Sequence, residues 1–558
     1  MSYEKLLEVC TTDRQRDLVR AVEAHYGRVV EAHQSLFGNT DPTNSNRIMR
    51  KLKSKIQDCE VKDSAEVAEI FRQTDVIKPA ILPVGKKVRR YILSSCQDET
   101  KPDHAFVRNL EAYAEWLGDC EIMLSGFTYN KSGLEDVERR KSGKKDQPSI
   151  YHKSLRKYLN NGQSRLCDGL LFCGEMNTLP TAVRPLSGFE TYTGGDWGIF
   201  PHPKIQLEAI ATSKFERTKH LMTTGCVTKP NYVKKKAGIK AAFHHEIAAV
   251  LVEVDVDGSY FCRHLCADKH GSFYDLDRWI KQGEVTTGHR IEALNPGDIH
   301  HEKLDPDVAL SVFGYDVKTR TITTRDNLID WLRPKFTFLH DLSDFSARNH
   351  HNIKDPHFLY QTHSTQTANV EYELQGCSDF CSVNRRPFME LKVIQSNHDN
   401  ALLRWLKSVD WRDDMENAKF YLQTQLDCLK LIDSSNGTPI FEKVLRDLSS
   451  DGLAGIQFIG EDDSFVICDD IECGMHGHLG ANGSRGNLKQ FTKFGRKSTT
   501  GHSHSAGWFD GALAAGVCSS LDLIYNKGAS SWSHSNVLTY ANGKRTIVTE
   551  MNGRWCIR

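Results

Sequence analysis

LKVIQSNHD, residues 391–399, is a strand-like apolar run that ends in side chains able to bind a metal ion or move a proton. Asn397, His398 and Asp399 follow the run at once, where a strand is expected to give way to a loop. Four other segments of the C-terminal half are likewise short, polar and rich in His, Asp or Asn. They are Asn295-Pro-Gly-Asp298-Ile-His300, Phe336-Thr-Phe-Leu-His340-Asp341, Gly474-Met-His476-Gly-His478 and Gly501-His502-Ser-His504.

The spacing within these segments suits metal binding. In a loop at a strand end, residues i and i+2 can turn toward one point, as Asp298 and His300 could. His502 and His504 have the same spacing in another loop. Imidazole and carboxylate together favour manganese, iron, zinc or nickel over calcium or magnesium alone. Each segment by itself is equally typical of a turn, a helix cap or a polar loop, so the prediction depends on all five occurring together.

The number of candidate ligands predicts the chemistry. About seven donors are too many for one ion and fit two ions that share a bridging carboxylate. Two metals about 3.5–4 Å apart clamp a phosphoryl group and lower the pKa of a bridging water. A histidine that is not a ligand can then protonate the leaving oxygen. The sequence therefore predicts a phosphoester hydrolase.

The series resembles the calcineurin-like metallophosphoesterase family over about residues 290–545: D-x-H, G-D, G-N-H-[DE], an isolated His and G-H-x-H. Two positions depart from the pattern, since His340 and Ser396 stand where the family has Gly. The resemblance implies two divalent cofactor ions, manganese above others. It implies that His398 is the general acid, with Asp399 behind it. The implied metal ligands are Asp298, His300 and His504 for the first ion, Asp341 as the bridge, and Asn397, His476 and His502 for the second, with His476 favoured over His478.

A loop after His476 indicates the substrate. Gly480-Ala-Asn482-Gly-Ser484-Arg485-Gly486 can offer backbone N–H groups and a guanidinium to a phosphate, and His478 lies just before it. A basic run follows, with aromatic residues interleaved as possible stacking faces for bases. The run contains Lys489, Phe491, Lys493, Phe494, Arg496, Lys497 and Trp508. We take DNA as the expected substrate, although such a run is also typical of a solvated surface.

Three regions are expected along the 558 residues. Residues 1–85 are predicted to be helical, because apolar residues recur at spacings of three, four and seven. Residues 86–288 are predicted to be an α/β or α+β accessory domain that carries basic clusters at about 131–165 and 234–240. Residues 289–558 are predicted to form the family's two-sheet α/β sandwich, flanked by helices, with metals at the C-terminal ends of the strands.

Composition limits the other possibilities. Lys+Arg and Asp+Glu are both 72, so nucleic-acid binding must depend on local basic patches rather than on net charge. The sequence has no apolar stretch of about 18 residues and no N-terminal signal region, which predicts a cytoplasmic protein without a membrane span. Its 16 cysteines are therefore expected to be reduced.

The layout adds a second resemblance. About 290 residues precede the hydrolase-like region, an arrangement that resembles the first-step-transfer early proteins of T5-like phages. This implies a phage protein that degrades host DNA in the host cytoplasm, and a manganese-dependent DNase is the leading hypothesis. One alternative is a phosphatase or cyclic phosphodiesterase that acts on nucleotides or phosphoproteins. Another is a non-catalytic scaffold or inhibitor that binds host proteins. A homo-oligomer and a host or phage protein partner both remain open.

Overall fold

The computed structural model describes residues 3–8, 10–25, 28–38, 43, 45–53, 80–81, 87–128 and 151–557, except 215, 350, 351, 436, 524 and 525. The chain divides into two compact units. One comprises Met1–Ile77 with Asn130–Arg156, and the other comprises Lys78–Tyr129 with Lys157–Arg558. In the second unit, strands that precede residue 288 pair with strands that follow it in one sheet. The division of the chain into three regions remains a prediction.

Near the N-terminus, the described elements of the first unit are helices. Its helices are Tyr3–Glu8, Asp13–Ala24 and Val29–Phe37, as the apolar spacing predicts. Thr12 and Gln15 form a capping box at the start of the second helix. Leu6, Leu18, Val19 and Val22 pack in its core.

Part of the predicted basic loop also lies outside the described residues. Residues 129–150, including Arg139, Arg140, Lys141, Lys144 and Lys145, are not among them. The remainder of that stretch is not all loop, since Lys153–Tyr158 is a 3₁₀ helix and Gln163–Cys167 a strand. Ala80–Ile81, within the segment predicted to be helical, is a short strand.

A six-stranded sheet carries the first three candidate loops. Its first four strands are parallel, and a hairpin completes it on one edge. Asn542-Gly543 between two β-like runs predicts a hairpin turn, and this prediction is confirmed at that edge. In spatial order the strands are Gln457–Ile459, Glu390–Ile394, Phe336–Leu339, Ala293–Asn295, Ser535–Thr539 and Arg545–Thr549.

An eleven-stranded mixed sheet carries the other two candidate loops. It joins strands that are far apart in sequence, for example Gln206–Ile210 with Gly507–Phe509. The remaining strands are, in spatial order, Ala80–Ile81, Gln163–Cys167, Leu170–Cys173, Trp197–Phe200 and Lys219–Thr223 on one side, and Ala512–Ala514, Lys497–Thr500, Ile471–Glu472 and Val466–Ile467 on the other.

Smaller sheets complete the strands. Two β-like runs on either side of a helical pattern predict a β-α-β unit at the start of the accessory region. It is confirmed, because Arg89–Gln97 and Cys120–Phe127 pair in parallel around the helix His104–Leu117. Asp257-Gly258 between two apolar runs predicts a hairpin, and Ala248–Val254 and Tyr260–Cys266 form it in the same four-stranded sheet. The other strands are Phe273–Asp275, Arg278–Lys281 and Glu284–Thr286 in one sheet, and Tyr315–Asp316 and Thr321–Ile322 in another.

Layers on both faces bury the six-stranded sheet, as its alternating apolar residues require. Phe336 and Phe338 point to a core shared with Ile467 and Ile471 of the eleven-stranded sheet. Leu339 points the other way, into a core filled by helices. The helices of this unit after His104–Leu117 are Lys236–Phe243, Pro306–Val308 with a π turn at Ala309–Phe313, Leu328–Leu332, Pro356–Ser364, Val370–Val383, Ala401–Ser408, Ala418–Asp433, Ile440–Leu448 and Leu488–Phe491.

The second unit is thus a mixed α/β structure, as predicted at the level of fold class. None of the described helices is both long enough and apolar enough to cross a lipid bilayer. The cysteines within the described ranges are all free thiols.

Candidate metal centre

Backbone hydrogen bonds bring the first two candidate loops together. Each loop follows a parallel strand, Ala293–Asn295 or Phe336–Leu339, at its C-terminal end. The backbone N–H of His300 donates to the carbonyl of Asp341 at 2.7 Å. Its neighbours Ile299 and His301 make matching bonds, so this ladder sets the side chains of His300 and Asp341 side by side.

The loop that carries His502 and His504 approaches from the other sheet. The backbone N–H of His502 donates to Asp298 Oδ2 at 2.7 Å, and that of Gly501 donates to the carbonyl of His476 at 2.8 Å. Gly501 leaves room for this approach, because a Cβ there would lie 2.1 Å from Asp298 Oδ1. Loops from both sheets therefore meet at one buried point.

The side chains at that point form two groups of possible metal ligands. In each group, one ligand atom per residue lies within 4.8 Å of every other. The first group is Asp298, His300, Asp341 and His504, and the second is Asp341, His476 and His502. Asp341 belongs to both groups. These buried clusters could hold metal ions.

Unsatisfied polar atoms show that the group fits a cation. Both carboxylate oxygens of Asp341 and both ring nitrogens of His476 are buried and make no hydrogen bond within the described residues. His476 Nε2 and Asp341 Oδ1 lie 3.2 Å apart, close but not aligned for a hydrogen bond. Asp298 Oδ1 is orphaned in the same way. Because a buried unpaired carboxylate is costly, such an arrangement is typical of ligands that converge on an ion.

The backbone at the candidate ligands is strained. His300, Asp341, His502 and His504 all have positive φ, between 43° and 72°. This left-handed region is uncommon for residues other than glycine, and strain of this kind concentrates at functional sites. Four of the predicted ligands share it, which indicates that the fold holds these side chains in place at a cost to stability.

Neighbouring charges modify the ionisation of the cluster. Burial opposes ionisation of Asp341, yet His476 and His398 lower the pKa of its carboxyl well below the usual range. Burial also opposes protonation of His504, but the neighbouring carboxylates of Asp298 and Asp341 raise the pKa of that imidazole to about 9.

Two other histidines of these loops are neutral. Burial lowers the pKa of both His502 and His340 to about 4. The neutral ring is the form in which histidine binds a metal. His340 stands where the resembled family has Gly, and its Nε2 lies 3.4 Å from the side-chain nitrogen of Asn295.

His398 lies at the edge of the cluster and lines the cleft beside it. Its Nδ1 is 3.3 Å from the backbone oxygen of Asp344 and 3.7 Å from a carboxylate oxygen of the same residue. That carboxylate oxygen also lies 3.2 Å from His300 Nδ1. Asp344 therefore contacts both imidazoles. The motif spacing did not single out Asp344, although a carboxylate three residues after the predicted bridge, in the same loop, is a usable signal.

Asp399, which the resemblance implies to lie behind His398, is buried. Its carboxylate accepts a hydrogen bond from the backbone N–H of Ser343 at 3.2 Å, and burial raises its pKa to about 7. Asn397 is half-buried, and its side-chain oxygen is buried without a hydrogen-bond partner among the described residues. His478 is bonded to Glu461 at 2.9 Å, while its ring lies 5.3 Å from that of His476.

An open cleft of about 820 Å³ leads to Asp341 and His398. Ser484 and Arg485, predicted to bind substrate, line it, whereas Asn482 is exposed in the turn Ala481–Gly483. Trp532, which the sequence analysis did not single out, forms part of the wall with its ring 4.3 Å from that of His504. The expectation that Trp508 offers a stacking face is wrong, because its side chain packs in the core between the sheets.

The chain matches no protein-family model. It is 38% identical over 480 residues to Protein A1 of Escherichia phage T5, an alignment that covers 84% of this chain and 83% of that protein. This chain belongs to the Protein A1 family. The predicted resemblance to a protein of T5-like phages is thereby confirmed. The family name describes no activity, so the chemistry must be argued from the cluster itself.

Proposed function

We propose that this protein is a two-metal phosphodiesterase of the calcineurin-like type, a manganese-dependent DNase that acts on host DNA during phage infection. One observation carries the proposal: Asp341 belongs to both groups of possible ligands. A carboxylate shared in this way is what two neighbouring cations require. The six-stranded and eleven-stranded sheets, which face each other across one core, would then be the two sheets of the metallophosphoesterase sandwich.

The residues suited to the first cation are Asp298, His300, Asp341 and His504. Asp341, His476 and His502 would hold the second, together with Asn397, whose buried oxygen lacks a partner among the described residues. When bound, such cations supply Lewis acidity to a phosphoryl oxygen and lower the pKa of the attacking water. The mixture of imidazole and carboxylate favours manganese over magnesium or calcium.

His398 is suited to proton transfer. It reaches the cleft, and the carboxylate of Asp344 lies 3.7 Å from its Nδ1. A proton donated to the leaving oxygen would remove the need to expel an alkoxide. Asp344 acts here as a positioning residue, since it also contacts His300.

The surroundings of the cleft support a nucleic-acid substrate. Arg485 is exposed on its wall, and Trp532 offers an aromatic face beside His504. An arginine can bind a backbone phosphate while an aromatic ring stacks on a base. The basic residues that follow the cleft loop, Lys489, Lys493, Arg496 and Lys497, are all exposed.

The buried carboxylates argue against a purely non-catalytic scaffold. Asp298 and Asp341 are fully buried, and keeping them without a ligand costs stability. A phosphatase or cyclic phosphodiesterase uses the same chemistry, so only the substrate separates that alternative from a DNase.

Incubation of the purified protein with linear and circular duplex DNA and Mn²⁺ tests the proposal. We expect cleavage that a chelator abolishes and that is lost in Asp341→Asn, while Asp433→Asn, at an exposed aspartate, cleaves normally. The enzyme should also hydrolyse bis(p-nitrophenyl) phosphate better than the monoester. Rapid hydrolysis of the monoester without DNA cleavage would establish a phosphatase. Absence of bound metal after reconstitution, with no hydrolysis at all, would overturn the enzymatic proposal.

A further inference from the structure

A short basic helix lies on the surface of the second unit. The helix Lys236–Phe243 begins directly after Lys234 and Lys235, and it carries Lys240 on its last turn. All four lysines are exposed, and none has an ion-pair partner within the part of the chain that the structure describes. We call this set, together with the apolar residues described next, the basic helix surface.

Large apolar side chains stand among the lysines. Val233, Ile239 and Phe243 are 51%, 61% and 81% exposed. Phe243 and Ile239 are four residues apart and so share one side of the helix. Exposure of this degree for a phenylalanine beside a cluster of lysines is typical of a contact surface rather than of a merely solvated face.

Nearby carboxylates do not neutralise these lysines, because other cations already pair with them. Glu246 is bonded to Lys544 at 2.8 Å. Asp510 lies 2.6 Å from the ammonium group of Lys204 and 3.3 Å from the imidazole of His244. The basic helix surface therefore keeps an excess of positive charge.

Asp510 also connects this surface to the cleft. His244, which ends the helix, contacts it, and Asp510 lies in the turn between the strands Gly507–Phe509 and Ala512–Ala514. Lys489 lies over the ring of Phe509, directly before that turn, at 5.3 Å, and the side chain of Lys497 packs at Gly511 within it.

These contacts continue from the turn at Asp510 into the cleft. Lys489 belongs to the helix Leu488–Phe491, and Leu488 and Phe491 line the cleft together with Arg485. The basic helix surface and the basic run that begins at Lys489 are thus neighbours on one surface, although about 250 residues separate them in the sequence. Lys489 and Lys497 have the carboxylates of Glu208 and Asp470 within ion-pair distance, so the unpaired charge lies mainly at the far end.

We propose that the basic helix surface is an accessory DNA-binding site, which holds the phosphate backbone of duplex DNA that extends from the cleft. The inference rests on the proposed function and adds a site outside the catalytic cluster. Lysines bind phosphates without regard to sequence and release counterions, so the contribution is a salt-dependent affinity for long DNA. Phe243 and Ile239 provide apolar contact to the sugars between the phosphates. Continuity with the cleft favours DNA over an anionic membrane as the occupant.

The test replaces all four lysines, 234, 235, 236 and 240, by glutamine and measures the affinity for a long duplex in a chelator, where nothing is cleaved. We expect affinity to fall about tenfold or more at low salt and the salt dependence to become shallower, by about 0.9 per lost phosphate contact. Replacement of the same lysines by arginine should preserve affinity. A matched control replaces Lys318, Lys354, Lys407 and Lys419, which are also exposed, and should bind as the wild type does.

The outcomes separate this inference from the proposed function. Unchanged DNA affinity and salt dependence in the glutamine variant would overturn the accessory site, whether or not the protein is a nuclease. Loss of binding together with an inactive wild type would leave the site standing and remove the DNase. If the wild type binds phosphatidylglycerol vesicles through these lysines and does not bind DNA, the surface recognises membranes and the inference is wrong. Thermal unfolding of each variant shows that it is folded.

Discussion

His398 is the residue on which proton transfer depends. His398→Gln removes the proton donor and keeps most of the volume of the ring, so we expect kcat for DNA hydrolysis to fall about 10²–10⁴-fold. The loss should be much smaller for bis(p-nitrophenyl) phosphate, because nitrophenolate leaves without a proton. Steady-state kinetics on the two substrates measure the difference. The control is His357→Gln at an exposed position. An equal loss on both substrates would show that His398 positions the phosphate rather than protonating the leaving group.

Glu550 gives a prediction about pH at the same scale. Burial raises the pKa of its carboxyl from 4.5 to about 8, although bonds from Ser311 and Asn536 oppose the shift. The folded state therefore binds the proton more tightly than the unfolded state. The stability from this group is complete below about pH 4.5 and is lost as the pH rises toward 8.

In Glu550→Gln the free energy of unfolding should therefore fall less steeply between pH 5 and pH 8, by up to about 1.4 kcal/mol per pH unit. Urea unfolding at several pH values measures the slope. Glu371→Gln, at an exposed glutamate, should leave the slope as in the wild type. A slope that does not change in Glu550→Gln would mean that the carboxyl is ionised in the folded protein.

At the scale of elements, local patterns were sufficient to predict hairpins and the β-α-β unit. The Asp257-Gly258 and Asn542-Gly543 turns fix the register of their own flanking strands. The positions of the five loops after strands follow from the same local alternation. Nothing local, however, predicts that Gln206–Ile210 pairs with Gly507–Phe509, since that contact joins residues about 300 apart.

The same limit applies to the candidate site. Asp298, Asp341 and the histidines could be found because each lies in a segment with a recognisable spacing. Trp532 could not, because its place beside His504 depends on how two distant loops pack. Asp344 was only partly predictable. Its position after Asp341 can be read from the sequence, but its contact with His398 cannot.

Gly501 shows how one element controls the approach of another. In Gly501→Ala the new Cβ would lie 2.1 Å from Asp298 Oδ1 and 3.0 Å from His340 Cβ. Overpacking of this kind costs about 1–3 kcal/mol of stability. It also displaces a candidate ligand, so we expect Mn²⁺ affinity to fall about 10–100-fold. Calorimetric titration measures the Mn²⁺ affinity. Gly495→Ala is the control, because a Cβ at that position meets nothing within 4 Å. Normal Mn²⁺ affinity in Gly501→Ala would exclude Asp298 as a ligand.

At the scale of the whole molecule, the cluster couples metal binding to folding. Asp298, Asp341, Asp344 and Asp399 are all buried in loops of the six-stranded sheet, where the loop of His502 and His504 from the eleven-stranded sheet meets them. A cation bound there would hold loops of the six-stranded and eleven-stranded sheets together. A ligand that binds only the folded state stabilises it by mass action, by about 2.7 kcal/mol at one hundred times its dissociation constant.

We therefore expect Mn²⁺ to raise the midpoint of thermal unfolding by several degrees and calcium to raise it far less, because calcium prefers oxygen ligands. Asp341→Asn should abolish the Mn²⁺ shift. Asp433→Asn should respond to Mn²⁺ as the wild type does. Scanning calorimetry with and without chelator measures these midpoints. An Asp341→Asn variant that Mn²⁺ stabilises as much as the wild type would show that this carboxylate does not bridge two cations.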